Sequence, residues 1–201
     1  MSGNVFMGHE TMSRDVFERY AVDYDRWFDE HQEEYLAELS RIRMVLPAPD
    51  SRAVEIGIGS GRFAAPLGIR IGVEPSRALC RMAHRRGIGV IRGRVEALPI
   101  KDGSCSSVLF VTVICFLDHP RAAFREIHRI LSRGGFLVTA FIERDGKIHR
   151  KYLLDGGKGR FLSRARFYSQ EEVCAFLSDT GFIVKKGDSR AGFCVIAAQK
   201  I

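Results

Sequence analysis

The stretch AVEIGIGSGRFAAP, Ala53 to Pro66, decides how the chain is read. A short apolar run carries an acid, Glu55, near its end, and three glycines follow at alternate positions, Gly57, Gly59 and Gly61. A strand that runs into such a turn presents backbone N–H groups beyond the strand end. Glycine, with no Cβ, lets a neighbour come up against the main chain there.

Reading outward, IRIGVEP is a second strand, ending at Glu74, 17 residues beyond Gly57. SRALCRMAHRRG is an amphipathic helix with Ala78, Leu79 and Met82 inward and Gly87 as its stop. IGVIRG is a third strand. SSVLFVTVICFL, β-branched and continuously apolar, reads as a buried central strand. PRAAFREIHRILSRGG is a helix with Pro120 in its first turn, Ala123, Ile127 and Ile130 on one face, and paired glycines at its end. FLVTAFI is a strand. SQEEVCAFLSDTG is a helix opened by a Ser169–Glu172 capping box and ended by Gly181. FIVKKGDSR and GFCVIAAQ form a closing antiparallel pair. Alternating strands and helices predict an α/β fold. Its sheet is doubly wound, mostly parallel, seven-stranded and Rossmann-like, with an antiparallel closing strand. A ligand then belongs outside the carboxyl ends of the central strands, where strand order reverses.

Upstream of Ala53, residues 1–12 read as a loose tail and a helical pattern starts at Ser13. Phe17, Ala21, Tyr24 and Phe28 share a stripe, with Val16, Tyr20 and Trp27 beside it. Trp27 and Phe28 are expected in the core. A second helix carries Leu36, Leu39, Ile42 and Leu46 and stops near Pro47 and Pro49. The chain divides into a tail and helical lid, 1–48, and a ligand-binding domain, 49–201, within one compact unit.

Composition sets outer bounds. The 201 residues carry a formal charge of +7, compatible with an anionic partner or with a plain basic surface. No apolar run reaches the length of a membrane span and the first residues lack a signal-peptide pattern. Five scattered cysteines, without paired spacing, predict neither a disulfide framework nor a metal site, and a reducing cytoplasm is the expected setting.

Glu74, at the end of the second strand, suits the two hydroxyls of a ribose. The motif is E-x-G-x-G-x-G rather than G-x-G-x-x-G, and the acid ahead of the glycines would repel a pyrophosphate. It suits a nucleoside with a cationic end, an aminoacyl or sulfonium group.

VEIGIGSGRFA, IGVEPS, VEALPIKDGSCSSVLFVTVICFL and HPRAAFREIHRILSRGGFLV, in that order over residues 52–142, resemble the class I S-adenosylmethionine-dependent methyltransferases, near the UbiE-like branch called methyltransferase type 11. The resemblance implies S-adenosyl-L-methionine as methyl donor, with S-adenosyl-L-homocysteine as product. It places Glu55, Gly57, Gly59 and Gly61 around the methionine and ribose part, Glu74 on the ribose hydroxyls, and Pro75 and Ser76 beside the adenine. Val95 and Glu96 pass the adenine edge, and Thr112 and Val113 lie beneath the methionine part. Two departures stand out. Arg94 replaces the aspartate that usually meets the adenine amino group. Only RFAAPLG separates Gly61 from the next strand, which leaves room for a helix of about two turns.

Methyl transfer is an in-line displacement that needs alignment and exclusion of water, and a base only where the acceptor must lose a proton. Tyr24, in an aromatic segment resembling the lid of the UbiE-like branch, is the expected lid residue beside the donor. His119 is the candidate base; Asp118 and His119 also read as turn and cap residues. Cys115 reads as buried and inert or as pocket-lining. His84, His128, His149 and His9 read as solvated. The segment from Glu143 to Arg166, with Arg144, Lys147, Arg150, Lys151, Lys158, Arg160, Arg164 and Arg166, reads as a solvated loop or as a cover attracting an anionic acceptor. Tyr152, Phe161 and Phe167 are its anchors. The expected activity is methylation of a small molecule. RNA or protein methylation and donor binding without catalysis are the alternatives; no nucleic-acid module accompanies the domain.

Overall fold

A computed structural model describes residues 15–157 and 159–201. His9, the tail and Lys158 lie outside the described residues. A helical segment at 15–19 breaks at Tyr20. Helices α1 (Ala21–Glu30) and α2 (Gln32–Arg43) follow. The domain then runs β1 (Ala53–Ile56), α3 (Ala64–Leu67), β2 (Ile71–Glu74), α4 (Arg77–Arg85), β3 (Gly89–Arg92), β4 (Cys105–Val111), α5 (Pro120–Ile130), β5 (Leu131–Ile142), α6 (Lys147–Leu154), α7 (Gln170–Ser178), β6 (Phe182–Arg190) and β7 (Phe193–Lys200).

The sheet order is β3-β2-β1-β4-β5-β7-β6. Strands β1 to β5 pair in parallel, and β7 runs antiparallel to both β5 and β6. Strand order reverses between β1 and β4, so the turn after β1 meets the end of β4. Both faces of the sheet are covered. Phe124, Ile127 and Ile130 of α5 and Val173 and Leu177 of α7 bury one face with Val54, Val108 and Ile196. Leu39 and Ile42 of α2, Ala64 and Leu67 of α3 and Ala83 of α4 bury the other with Leu109, Val138 and Val195. The Ser169–Glu172 capping box is formed in full at the start of α7.

Several local expectations are corrected. Strand β4 stops at Val111 because Thr112 adopts φ 55°, and the chain then makes a 3-10 turn at Ile114–Phe116. Helix α5 stops at Ile130. Leu131 already pairs with Cys105, and the paired glycines sit in an irregularity of β5, Gly134 at φ 74°. Helix α3 is one turn, not two, closed by Gly68 at φ 82°. In α4 it is Leu79 and Ala83 that are buried, and α2 ends before Leu46 and leaves Leu36 exposed. Trp27 is 38% exposed and stacks on His31, while Phe28 is core. His149 is buried against Phe167, with Nδ1 accepting from the Asp145 amide at 2.9 Å, so it is not solvated; His128 is half-buried and packs edge-on to Phe182.

Candidate active site

The turn after β1 is built from left-handed glycines: φ is 70° at Gly57, 56° at Gly59 and 85° at Gly61. Their missing side chains serve different neighbours. A Cβ on Gly57 would stand 2.3 Å from Val113 Cγ2, so Gly57 brings the ends of β1 and β4 together. A Cβ on Gly61 would stand 2.6 Å from Ile88 and 3.3 Å from Ala83, so Gly61 seats the turn on α4 and the loop after it. At Gly59 the neighbour is Tyr24, whose hydroxyl would be 3.1 Å from that Cβ.

Glu74 closes the turn from β2. Its Oε2 accepts from the Gly59 amide and its Oε1 from the Ser76 amide, each at 2.9 Å. Burial drives its pKa up to about 7, against those two amides, and Glu18 nearby pushes the same way. Glu18 Oε2 accepts from Ser76 Oγ at 2.7 Å and from the Ala78 amide at 3.2 Å, at the N-terminus of α4. Each oxygen of Glu74 keeps a lone pair for a further donor, the arrangement a vicinal diol requires.

Glu55 is buried in β1 beside this turn. Its Oε2 has no hydrogen-bond partner among the described residues. Desolvation raises its pKa well above the carboxylate range, and Glu74 adds to that. A buried carboxyl oxygen without a partner is costly and calls for a donor or a cation at that place. The residues therefore fit a nucleoside whose other end is cationic.

The far side of the site is an open hollow of about 410 Å³ lined by Pro75, Arg92, Gly93 and Arg94. The Gly93 amide donates to the Glu74 carbonyl at 3.3 Å, which ties the end of β3 to the acid. Val95 is core, and Glu96 Oε2 lies 3.5 Å from Arg94 Nε, so the arginine and the acid expected at the base edge pair with each other. Thr112 donates its amide to the Ala140 carbonyl at 2.7 Å. Cys115 Sγ donates to the Thr112 carbonyl, and burial pushes that thiol up to about 12, which makes it inert.

Over the turn lies an aromatic cluster. Phe17 contacts Tyr24, Phe116 and Phe161 with ring centroids 5.4, 5.0 and 5.2 Å apart, and Tyr24 also meets Phe28 and Phe161. Burial and the carboxylates of Glu74 and Glu55 hold the Tyr24 hydroxyl well above the ordinary phenol range, so it keeps its proton. Phe161 comes from the 143–166 segment, three of whose cations are matched by acids. Arg144 pairs with Glu172, Arg160 with Asp23 and Arg166 with Asp118. His119 is exposed at the start of α5 and makes no side-chain cap bond.

The sequence points to the turn, Glu74, Thr112, Val113 and Tyr24, and the structure brings them together. It misses Glu18 and the group Asp25, Asp29, Arg62 and Arg86, which ties α1 to the turn. The available signal is Asp25 and Asp29 one helical turn apart, with an arginine directly after the third glycine.

Comparison with known proteins follows the same line. The family model described as a methyltransferase domain, type 11, matches residues 54–139. An uncharacterized protein of Methanocaldococcus jannaschii is 36% identical over 205 residues, covering 92% of this chain and 99% of its own length. The crystal structure of an S-adenosylmethionine-dependent methyltransferase from Thermotoga maritima superposes with a TM-score of 0.87 at 38% identity, over 94% of this chain and all of that one. Magnesium protoporphyrin IX methyltransferase from Synechocystis, solved with bound S-adenosylhomocysteine, shares the fold. Its TM-score is 0.75 at 15% identity, over 96% of this chain and all of its own.

Proposed function

Because the chain belongs to the class I S-adenosylmethionine-dependent methyltransferases, we propose that its methyl acceptor is a small molecule and that the turn from Gly57 to Gly61 with Glu74 holds the donor. When bound, S-adenosylmethionine supplies the methyl group as a sulfonium and leaves as S-adenosylhomocysteine. Glu74 would take the ribose hydroxyls with the lone pairs its two amide bonds leave free. Glu55 would face the cationic end, and Pro75, Val95 and Glu96 would border the base. Thr112 and Val113 would lie under the methionine part, beside Gly57.

Residues up to 48 act in this reading as a lid on the domain 49–201. Tyr24, protonated and set against Gly59, shapes the reacting end of the site and donates a hydrogen bond rather than taking a proton. His119, exposed at the start of α5, would receive the acceptor's proton where one must leave. The observation that carries the small-molecule reading is the aromatic cluster of Phe17, Tyr24, Phe116 and Phe161 over the turn. Rings packed on one another over the turn would keep water from a displacement there. Pairing of Arg144, Arg160 and Arg166 with acids takes three cations of the 143–166 segment away from a phosphate-backbone track. The free thiols fit work in the cytoplasm.

The test is incubation of the protein with methyl-deuterated S-adenosylmethionine and a cell extract, followed by mass spectrometry. A metabolite heavier by one CD₃ group is the expected result. Label confined to RNA or protein overturns it in favour of a macromolecular acceptor. Binding of S-adenosylhomocysteine with no label anywhere favours a donor-binding protein without transfer.

A further inference from the structure

Arg62 directly follows Gly61, so the glycine turn itself carries it. Its guanidinium reaches up to α1. Nε donates to Asp25 Oδ1 at 2.9 Å and Nη2 to Asp25 Oδ2 at 3.0 Å, a two-point grip, and Nη2 also meets the Asp25 carbonyl at 3.0 Å. Nη1 and Nη2 donate to the two oxygens of Asp29, each at 2.7 Å. Arg86, at the end of α4, adds a bond from Nη2 to Asp25 Oδ2 and one from Nη1 to the Ser60 carbonyl inside the turn, both at 2.9 Å. Asp25 and Arg62 are 18% exposed at their side chains and Asp29 is 66% exposed.

The residue before Asp25 is Tyr24, whose ring lies against the bare face of Gly59. That is the face a nucleoside must approach if it is to reach the main chain of the turn. A carboxylate fixed by two guanidinium groups leaves the adjoining tyrosine little freedom. Two-point arginine–carboxylate bonds fix direction as well as distance, and these are partly shielded from water.

We propose that Asp25, gripped by Arg62 and Arg86, is a positioning residue that seats Tyr24 on Gly59 in the free protein, so that donor entry waits for this grip to release. The proposal rests on the reading of the turn as the donor site. A ligand that must wait for a conformational step binds at a rate that stops rising with its concentration and levels off at the opening rate.

The chain carries its own reporter. Its single tryptophan, Trp27, lies on α1 two residues past Asp25 and stacks on His31 at 4.7 Å. The experiment is stopped-flow tryptophan fluorescence with S-adenosylhomocysteine as probe, on the full chain and on Asp25→Asn and Asp29→Asn, with calorimetry to establish binding. In the wild type the observed rate levels off, and added KCl raises the plateau. Asp29→Asn, at an exposed position that the fold tolerates, raises the plateau roughly threefold, as for an exposed ion pair. Asp25→Asn raises it by roughly tenfold or more and weakens the salt effect, leaving only the share of the Arg62–Asp29 pair. A merely structural role would lower the melting temperature and leave the plateau alone. A wild-type rate that climbs linearly without levelling overturns the proposal, as does a plateau unchanged in both variants. Calorimetry that shows no binding to the wild type overturns the donor-site reading and this proposal with it. Binding with linear kinetics leaves that reading standing and overturns the grip alone.

Discussion

The amide of Gly59 donates to Oε2 of Glu74 across 2.9 Å, joining the middle of the glycine turn to the acid at the end of β2. The two halves of the proposed donor site are thus one hydrogen-bonded unit. At pH 8, where Glu74 is ionised, substituting Glu74→Ala removes a charged acceptor, and donor affinity should fall by about 1.5–3 kcal/mol, the range for hydrogen bonds to a charged group. Calorimetry with S-adenosylhomocysteine measures it. Unchanged affinity in a folded variant would take Glu74 out of the site.

Glu74 also makes the fold sensitive to pH. Its pKa rises from the ordinary 4.5 to about 7, chiefly by burial, so the native state holds a proton that the unfolded chain releases. The associated stability is full below about pH 4.5, declines as pH rises, and is gone above about pH 7, a change of about 3 kcal/mol. Urea unfolding at pH 5 and pH 8 should show the wild type weaker at pH 8. Glu74→Gln should lose less between the two, by about that amount. Glu55, raised in the same sense, keeps a residual slope in the variant.

Gly57 and Val113 test the junction of β1 with β4. An alanine at 57 must adopt φ 70° and place its Cβ 2.3 Å from Val113 Cγ2. Gly57→Ala should therefore destabilise by about 2–4 kcal/mol, from left-handed backbone and overpacking together. Adding Val113→Ala relieves the contact but not the backbone cost. The double variant should then recover about half of the loss in denaturant unfolding, a positive coupling between the two sites.

Glu55→Gln separates stability from binding. The substitution keeps the shape and removes a buried group that cannot ionise cheaply. At pH 8 the free protein should be as stable as wild type or more so, while donor affinity falls by roughly tenfold, as the cationic end loses its counter-charge. Equal affinity in the variant would show that Oε2 does not meet the donor.

How far the sequence discloses this molecule depends on the range of the interaction. Period and punctuation are local, and they place β1, β2, the Ser169 cap, the Gly87 and Gly181 stops and the turn itself. Backbone turns that serve a distant partner escape a local reading. Thr112 looks like one more β-branched residue in an apolar run, yet it turns to φ 55° and hands its amide to Ala140. Trp27 and His149 exchange their expected places because burial of a single side chain is set by neighbours such as His31 and Phe167. The bond from Arg62 to Asp25 spans 37 positions, and a pairing of that reach has no period to betray it.

Strand β6 touches the sheet only through β7, which lies between it and β5. Although β6 precedes β7 along the chain, it has no strand partner until its successor is paired. The two should zip first as a hairpin around Ala191 and Gly192 and then dock as a unit, so that β6 joins the sheet only once β7 has been made.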